Sequence, residues 1–198
     1  TLNTSSVAYS GLVIGDTFNG TYTGAFSDKN RGTGKTVTIT PSYTGADVGN
    51  YSITDHSTIT ANITTKSLTV SGITASNKIY NSTTSSTLGI GSVSYGGLVS
   101  GDDFVGSYSG VFADANVGTG KTVNITSSYS GVDVNNYSVT DQYTTTANIT
   151  AKALTATASA SNKVYNSSSA ATVTLSLSGF IGSETVTSTN SSTFNDKN

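Results

Sequence analysis

Residues Gly118 to Lys152 read GTGKTVNITSSYSGVDVNNYSVTDQYTTTANITAK, and residues Gly32 to Lys66 read GTGKTVTITPSYTGADVGNYSITDHSTITANITTK. Both stretches place apolar residues at alternate positions, separate these runs with turn residues, and end on a lysine after ANIT. Alternation with a period of two is typical of half-buried β-strands. The two stretches therefore predict an antiparallel β module that occurs more than once.

The module recurs at a nearly fixed interval. Tyr22 returns as Tyr108 and Phe26 returns as Phe112, in both cases 86 residues later. The segment KIYN, which begins at Lys78, returns 85 residues later as KVYN. Self-similarity of this kind indicates a row of repeated structural units.

Three copies of the unit are expected. The first copy covers residues 1–65 and lacks its N-terminal strand, the second covers residues 66–151 and is complete, and the third covers residues 152–198 and is partial. Both ends of the chain would then fall inside a repeat, as in a piece of a longer protein. Apolar residues change from odd to even positions within Thr64 to Ser67, and no flexible spacer intervenes, so we expect the copies to form a stiff rod.

About seven short strands in each copy, with turns every 8–12 residues, predict an all-β fold made of immunoglobulin-like antiparallel β-sandwiches. A β-grasp-like repeat with one short helix is the alternative. The strands expected in the second copy are Leu68–Ile73, Thr87–Ser94, Phe104–Phe112, Val123–Ile125, Tyr137–Val139 and Thr145–Thr150. Its expected core residues are Tyr80, Leu88, Tyr95, Leu98, Phe104, Tyr108, Phe112, Val123, Ile125, Tyr129, Val134, Tyr137, Val139 and Ile149.

Composition excludes several classes of protein. Charged residues make up 10% of the 198 residues, and the net charge is −2 with the lysines spread singly, so we expect no nucleic-acid partner. The absence of Cys excludes disulfides and thiolate chemistry. No apolar run approaches the ~20 residues of a membrane span, so we expect no membrane insertion. The composition rich in Ser and Thr favours a secreted, extracellular protein.

The motif GTGKT resembles part of a phosphate-binding loop. A complete loop has a further Gly five positions before the second Gly of the motif, and a helix after it. Lys29 and Ala115 hold that position, and β-type sequence follows, so the motif predicts only a turn at the start of a strand. His56 is the only histidine, and Gln142 is its counterpart in the second copy. With no triad and no paired catalytic groups, we expect no enzyme, no catalytic residue and no cofactor.

Two sets of residues are candidates for binding. Asp102, Asp103, Asp133 and Asp141 offer hard oxygen ligands for calcium, although aspartates in turns also serve as caps. Tyr22 and Tyr108 could form a face that stacks on cell-surface glycans, although tyrosines in these positions also pack half-buried against a core.

Five segments carry a family resemblance: NKIYNSTTSSTL, GLVSGDDF, FADANVGTGKTV, YSGVDVNNYSVT and TTANITAKALT. They are similar to bacterial repeats of the YDG/MBG type, which large surface adhesins carry in tandem, including filamentous-haemagglutinin-like proteins. The Tyr-Asp-Gly of that family stands here as Tyr-Asn-Ser at Tyr80–Ser82 and Tyr165–Ser167.

The resemblance implies an extracellular, non-enzymatic stalk or fibre segment at the bacterial cell surface, with a role in cell adhesion or biofilm formation. Its partners would be the neighbouring repeats of the same chain, and units could also assemble into filaments by strand exchange. A carbohydrate-binding β-sandwich module is the alternative function.

Overall fold

The computed structural model describes residues 2–5 and 7–195, and nearly all of their regular structure is β. The strands are β1 (Asn19–Phe26), β2 (Gly32–Thr44), β3 (Thr58–Ile63), β4 (Lys66–Ser71), β5 (Thr74–Ala75), β6 (Lys78–Ile79), β7 (Leu88–Gly89), β8 (Ser94–Gly96), β9 (Val105–Phe112), β10 (Gly118–Ser130), β11 (Tyr137–Thr140), β12 (Thr144–Thr150), β13 (Thr155–Ala160) and β14 (Val173–Ser178). Single 3-10 turns at Val48–Asn50 and Val134–Asn136 occupy matching places in the first and second copies. The described residues contain no helix with the length and apolar character that a membrane crossing requires.

The chain divides into two compact units. The first unit combines Thr1–Val70, Tyr95–Gly106 and Tyr129–Thr140. The second unit combines Ser71–Ser94, Ser107–Ser128 and Asp141–Asn198. Each unit therefore brings together segments that are distant in the sequence.

The first unit contains two three-stranded sheets, β1-β2-β3 and β11-β4-β8. β1 and β2 form an antiparallel hairpin that runs from Asn19 opposite Thr44 to Phe26 opposite Val37. β4 lies between β8 and β11 and runs parallel to β11. The second unit contains most of the four-stranded sheet β6-β12-β10-β9 and the smaller antiparallel pairs β13-β14 and β5-β7.

The sequence alternation translates directly into burial in β10. Val123 and Ile125 are buried, whereas Thr122 and Asn124 are exposed, because neighbouring side chains of a strand point to opposite faces. Val123 belongs to an apolar cluster with Phe112, Ala147 and Ile149. Ala75, Tyr80 and Leu88 pack against this cluster and complete the core of the second unit.

The core predicted for the second copy is confirmed in part. Six of its residues are buried: Phe104, Phe112, Val123, Ile125, Tyr137 and Ile149. The other eight are partly buried: Tyr80, Leu88, Tyr95, Leu98, Tyr108, Tyr129, Val134 and Val139.

The expectation of purely antiparallel sheets is wrong. β11 pairs with β4 and β12 pairs with β6 in parallel. Parallel pairing requires a long connection between the two strands, and about 70 residues separate these partners in the sequence. An alternating pattern identifies a strand and its buried face, but it does not identify a partner so distant in the chain.

The strand predicted at Thr87–Ser94 is also wrong. Only Leu88–Gly89 and Ser94–Gly96 are strands, and Gly91 lies in the turn between them. Glycine weakens a strand because it loses more conformational freedom and offers no side chain to pack. The corresponding segment of the third copy, VTLSLS, contains no glycine and forms the continuous strand β14.

Candidate functional site

A cleft of about 760 Å³ opens in the first unit. Residues 7–10 and 51–56 contribute to its lining, together with Phe18, Tyr22 and Tyr43. Aromatic rings and polar groups therefore meet on one concave surface, which is the kind of place where proteins bind ligands.

Phe18 is the centre of the aromatic group beside this cleft. Its ring centroid lies 4.8 Å from that of Tyr9, 5.2 Å from that of Tyr43 and 6.0 Å from that of Tyr51. The Tyr9 and Tyr51 rings meet Phe18 edge to face, an arrangement that the charge distribution of aromatic rings favours. The three tyrosine rings therefore all pack against Phe18.

The tyrosine hydroxyl groups of the cleft are hydrogen-bonded. The Tyr22 hydroxyl donates to the Tyr9 hydroxyl over 3.1 Å, and the Tyr43 hydroxyl donates to the Asp55 carboxylate. The hydrogen bond to Asp55 raises the pKa of Tyr43 above its ordinary value. That phenol therefore stays protonated at neutral pH and keeps its hydrogen bond to Asp55.

The two residues predicted to form a ligand face belong to different units. Tyr22 lies in β1, is half-buried and lines the cleft. Tyr108 occupies the matching position in β9, is also half-buried and belongs to the second unit. His56 is exposed and lies at the cleft.

The second copy contains the same aromatic group, but there it is more deeply buried. Phe104 lies 5.3 Å from Tyr95, 5.1 Å from Tyr129 and 5.7 Å from Tyr137 between ring centroids. The Tyr137 hydroxyl donates to Asp102 over 2.6 Å. Burial, followed by this hydrogen bond, raises the pKa of Tyr137.

Two of the predicted calcium ligands meet at a lysine. The Lys29 ammonium lies 3.0 Å from Asp102 Oδ1 and 2.8 Å from Asp133 Oδ1. Lys29 belongs to the first copy and both aspartates belong to the second, and all three lie in the first unit. The Lys29 ammonium therefore lies between two of the carboxylates that the sequence suggested as calcium ligands.

Hydrogen bonding lowers the pKa of both carboxyl groups. The pKa of Asp102 is lowered chiefly by the Tyr137 hydroxyl and then by Lys29. The pKa of Asp133 is lowered chiefly by Lys29 and then by the backbone N–H of Asp103. In turn, the hydrogen bond to Asp133, followed by the one to Asp102, raises the pKa of Lys29. The three side chains therefore hold each other in their charged forms at neutral pH.

The other two predicted calcium ligands do not complete a metal site with this pair. Asp103 Oδ2 accepts a hydrogen bond from the backbone N–H of Val132, and Asp141 belongs to the second unit. Within residues 2–5 and 7–195, no group of three or more His, Cys, Asp or Glu residues is placed to hold a metal ion.

A second contact joins the first copy to the second beside Lys29. The backbone N–H of Arg31 donates to Asn136 Oδ1 over 3.0 Å, and Asn136 Nδ2 donates to Asn30 Oδ1 over 3.1 Å. Asn136 also donates to Asp133 Oδ1 over 3.3 Å. We call residues 29–31 with Asp102, Asp133 and Asn136 the inter-copy joint. Sequence reasoning missed it, because Lys29 has alanine as its counterpart in the second copy and therefore does not stand out by recurrence.

The KIYN segment has a structural role that sequence reasoning also missed. The Lys78 ammonium donates to Asn81 Oδ1 over 3.0 Å and to the Ser85 carbonyl over 3.0 Å, and it lies 5.1 Å from the centroid of the Phe112 ring. Lys163 makes the equivalent contacts in the third copy. The recurrence of lysine at this interval was the available signal. In each case the lysine binds the loop that follows it and lies over a phenylalanine ring.

The GTGKT motif forms the beginning of β10. The register of β10 against β12 shifts between Gly118 and Lys121, which marks a β-bulge, and Gly120 has a φ of 59°. The Gly120 N–H donates to Asn148 Oδ1 over 2.7 Å. The first copy repeats this bond between Gly34 and Asn62. The motif therefore forms a β-bulge, which the hydrogen bond from its second glycine to an asparagine side chain stabilises.

The comparison with protein families covers most of the chain. A family model described as YDG domain matches residues 1–61 and again residues 64–147. No curated protein and no solved structure matches the chain. The two matched ranges correspond closely to the first and second copies, and together they span more than half of the sequence. The chain therefore belongs to the YDG domain family.

Proposed function

We propose that this chain is a non-enzymatic structural segment of an extracellular bacterial surface protein, in which YDG repeats follow one another to form a stalk or fibre. Each repeat would be a small β-sandwich whose neighbours in the chain are its principal partners. The segment would carry an adhesive part of a larger protein away from the cell surface.

The inter-copy joint is the observation that carries this proposal. It fixes consecutive copies to each other through a charged lysine bound by two aspartates and through two hydrogen bonds of Asn136. The covalent connection between the two copies is also short, since β3 ends at Ile63 and β4 begins at Lys66. A short connection reinforced by side-chain contacts resists bending, and this property is what a stalk requires.

Small-angle X-ray scattering tests the proposal. The chain would be compared with versions that carry one or two additional copies of residues 66–151 inserted after Ala151. A stalk predicts that the maximum dimension grows by the same increment with each added copy. Compact growth, in which the radius of gyration follows roughly the 0.38 power of the residue number, would contradict it.

A glycan-binding module is the second candidate function. The aromatic cleft favours it, because Tyr9, Tyr22 and Tyr43 offer ring surfaces beside the Asp55 carboxylate. A glycan array would be probed with the wild-type chain and with the Tyr22→Ala variant. Tyr108→Ala is the matched control, since Tyr108 holds the same position in β9 and lies in the other unit. Binding that Tyr22→Ala alone removes would support this function.

A further inference from the structure

Two polar side chains at the contact between the first and second copies have no polar counterpart in the other copy. Arg31 of the first copy corresponds to Val117 of the second, and Asn135 of the second corresponds to Gly49 of the first. The loops that carry these residues are complete in both copies. Since valine and glycine hold the equivalent positions, the fold of a repeat does not require either polar side chain.

Both residues line one shallow depression of about 480 Å³. Its lining consists of Asn30, Arg31, Val132, Asn135 and Asn136. The first two belong to the first copy and the other three to the second, and all of them lie in the first unit. The volume falls within the range of about 300–1,000 Å³ that is common for ligand pockets.

The Arg31 side chain is available to a ligand. Arg31 is the only arginine of the chain, and it is exposed. Its guanidinium forms no ion pair and no hydrogen bond with any of the described residues. The carboxylates of the inter-copy joint, Asp102 and Asp133, are bound by the Lys29 ammonium instead. The guanidinium therefore keeps its N–H donors for another partner.

The inter-copy joint holds the two sides of the depression together. The Arg31 N–H donates to Asn136 Oδ1 over 3.0 Å, and Asn136 Nδ2 donates to Asn30 Oδ1 over 3.1 Å. The Asn135 amide and Asn30 Nδ2 make no hydrogen bond with the described residues. A ligand would thus meet polar groups whose backbone is already positioned, which reduces the entropy cost of binding.

We propose that this depression binds a carboxylated sugar residue of an acidic polysaccharide. The planar guanidinium of Arg31 would bind the carboxylate through two parallel hydrogen bonds. The amides of Asn30 and Asn135 can donate and accept, as the hydroxyl groups of a sugar ring also can. Val132, which is 82% exposed, offers an apolar contact for the ring. An acidic peptide side chain only accepts hydrogen bonds, so it would leave the amide oxygens unused.

The inference goes beyond the proposed function, because a stalk requires the joint but no ligand at the joint. It also differs from glycan binding at the aromatic cleft, whose lining shares no residue with the depression. The second copy has Val117 where the first has Arg31, so its corresponding loop offers no guanidinium to the third copy. The site therefore belongs to the contact between the first and second copies.

Titration with an acidic trisaccharide tests the site. The full chain, labelled with ¹⁵N, would be titrated at low salt with trigalacturonic acid and, separately, with its uncharged methyl ester. Saturable one-to-one binding of the acid is expected, with amide shift changes at residues 29–31 and 132–136. The ester is expected to bind at least about tenfold more weakly, because it loses the charge-assisted hydrogen bonds to Arg31. Sodium chloride should weaken binding of the acid and leave that of the ester unchanged.

The other copy of the repeat supplies the matched variants. Arg31→Val and Asn135→Gly each introduce the residue that holds the same position in the other copy, so both variants are expected to fold. Arg31→Val should weaken binding of the acid at least about tenfold and leave binding of the ester unchanged. Asn135→Gly should weaken binding of both ligands. Lys152→Ala, a change at an exposed lysine outside the depression, should affect neither ligand.

Three results would overturn the inference: no shift changes at millimolar trigalacturonic acid, equal binding of the acid and the ester, or unchanged binding of the acid by Arg31→Val. Tighter binding of a tetraglutamate peptide than of the trisaccharide would also overturn it, and would assign the site to acidic peptides. None of these results bears on the scattering of repeat arrays, which tests the stalk alone.

Discussion

The Lys29 ammonium lies 2.8 Å from Asp133 Oδ1, and the two residues belong to consecutive copies of the repeat. Lys29 is mostly exposed and Asp133 is buried, so the aspartate is the partner that depends on the contact. A buried carboxylate that loses this ammonium keeps a charge without full compensation. The contact therefore links the stability of the second copy to a residue of the first.

Lys29→Ala is expected to lower the midpoint temperature of thermal unfolding at pH 7. It is also expected to reduce the fall of that midpoint as the pH is lowered. The pKa of Asp133 is lower in the folded chain than in the unfolded chain, chiefly because of Lys29. The stabilisation is thus present above the unfolded value of about 3.9 and is lost as the pH falls through the folded value. Thermal melts between pH 7 and pH 2 would measure both effects.

Lys152→Ala is the matched control for Lys29→Ala, because it removes one exposed lysine and has the same effect on net charge. It is expected to leave the acid dependence unchanged. Sodium chloride should reduce the difference between wild type and Lys29→Ala, since Lys29 is mostly exposed and salt screens exposed charges. Identical acid profiles for Lys29→Ala and wild type would show that the contact does not form in solution.

Ser82→Gly is expected to stabilise the chain. Ser82 has a φ of 58°, in the left-handed region that costs a residue with a Cβ about 1 kcal/mol and costs glycine almost nothing. It stands where the YDG family has the glycine of Tyr-Asp-Gly. Urea denaturation should show a gain of up to about 1 kcal/mol, reduced by the larger entropy of glycine in the unfolded chain.

Two substitutions control for the Ser82 experiment. Ser82→Ala removes the hydroxyl and keeps the Cβ, so it should bring no gain. Ser138→Gly, at an exposed position of β11, should destabilise, because glycine weakens a strand. A gain from Ser82→Ala equal to that from Ser82→Gly would mean that the hydroxyl, and not the backbone conformation, is unfavourable.

Local structure was largely predictable from the sequence, and strand pairing was not. Val123 and Phe112 were predicted correctly as core because period-two alternation determines which face of a strand is buried. The parallel pairing of β4 with β11 left no trace in that pattern, because alternation carries no information on a partner that is distant in the chain. The strand predicted at Thr87–Ser94 is interrupted at Gly91, which the alternation of apolar residues does not show.

The candidate site was predictable only in part. Tyr22 was predicted as a ligand residue and does line the cleft, since recurring aromatic residues mark either a core or a binding face. The cleft itself could not be derived, because residues 7–10 and 51–56 line it together, and alternation does not show which distant segments meet. Asp102 and Asp133 were predicted to lie together, but Lys29 was not predicted to join them, since its counterpart in the second copy is an alanine.

Asn148→Ala is expected to release the bulge at GTGKT. The Gly120 N–H donates to the side chain of Asn148, which is partly buried, and alanine leaves this donor without that acceptor. The expected cost is about 1 kcal/mol, in line with other lost hydrogen bonds. Hydrogen exchange at the Gly120 amide should accelerate, whereas exchange at Gly34, whose acceptor is Asn62, should not change. Unchanged exchange at Gly120 would contradict this account.

Phe112→Ala is expected to lower the free energy of unfolding much more than Phe26→Ala, although the two residues hold the same position in the repeat. Phe112 is 2% exposed and belongs to the apolar cluster of the second unit, so truncation should cost about 3–5 kcal/mol. Phe26 is 41% exposed, so truncation creates no closed cavity and should cost about 1 kcal/mol. Hydrogen exchange at β9 and at β1 would report the two losses separately. Equal losses would mean that Phe26 is as fully buried in solution as Phe112, which would contradict the difference in exposure between the two residues.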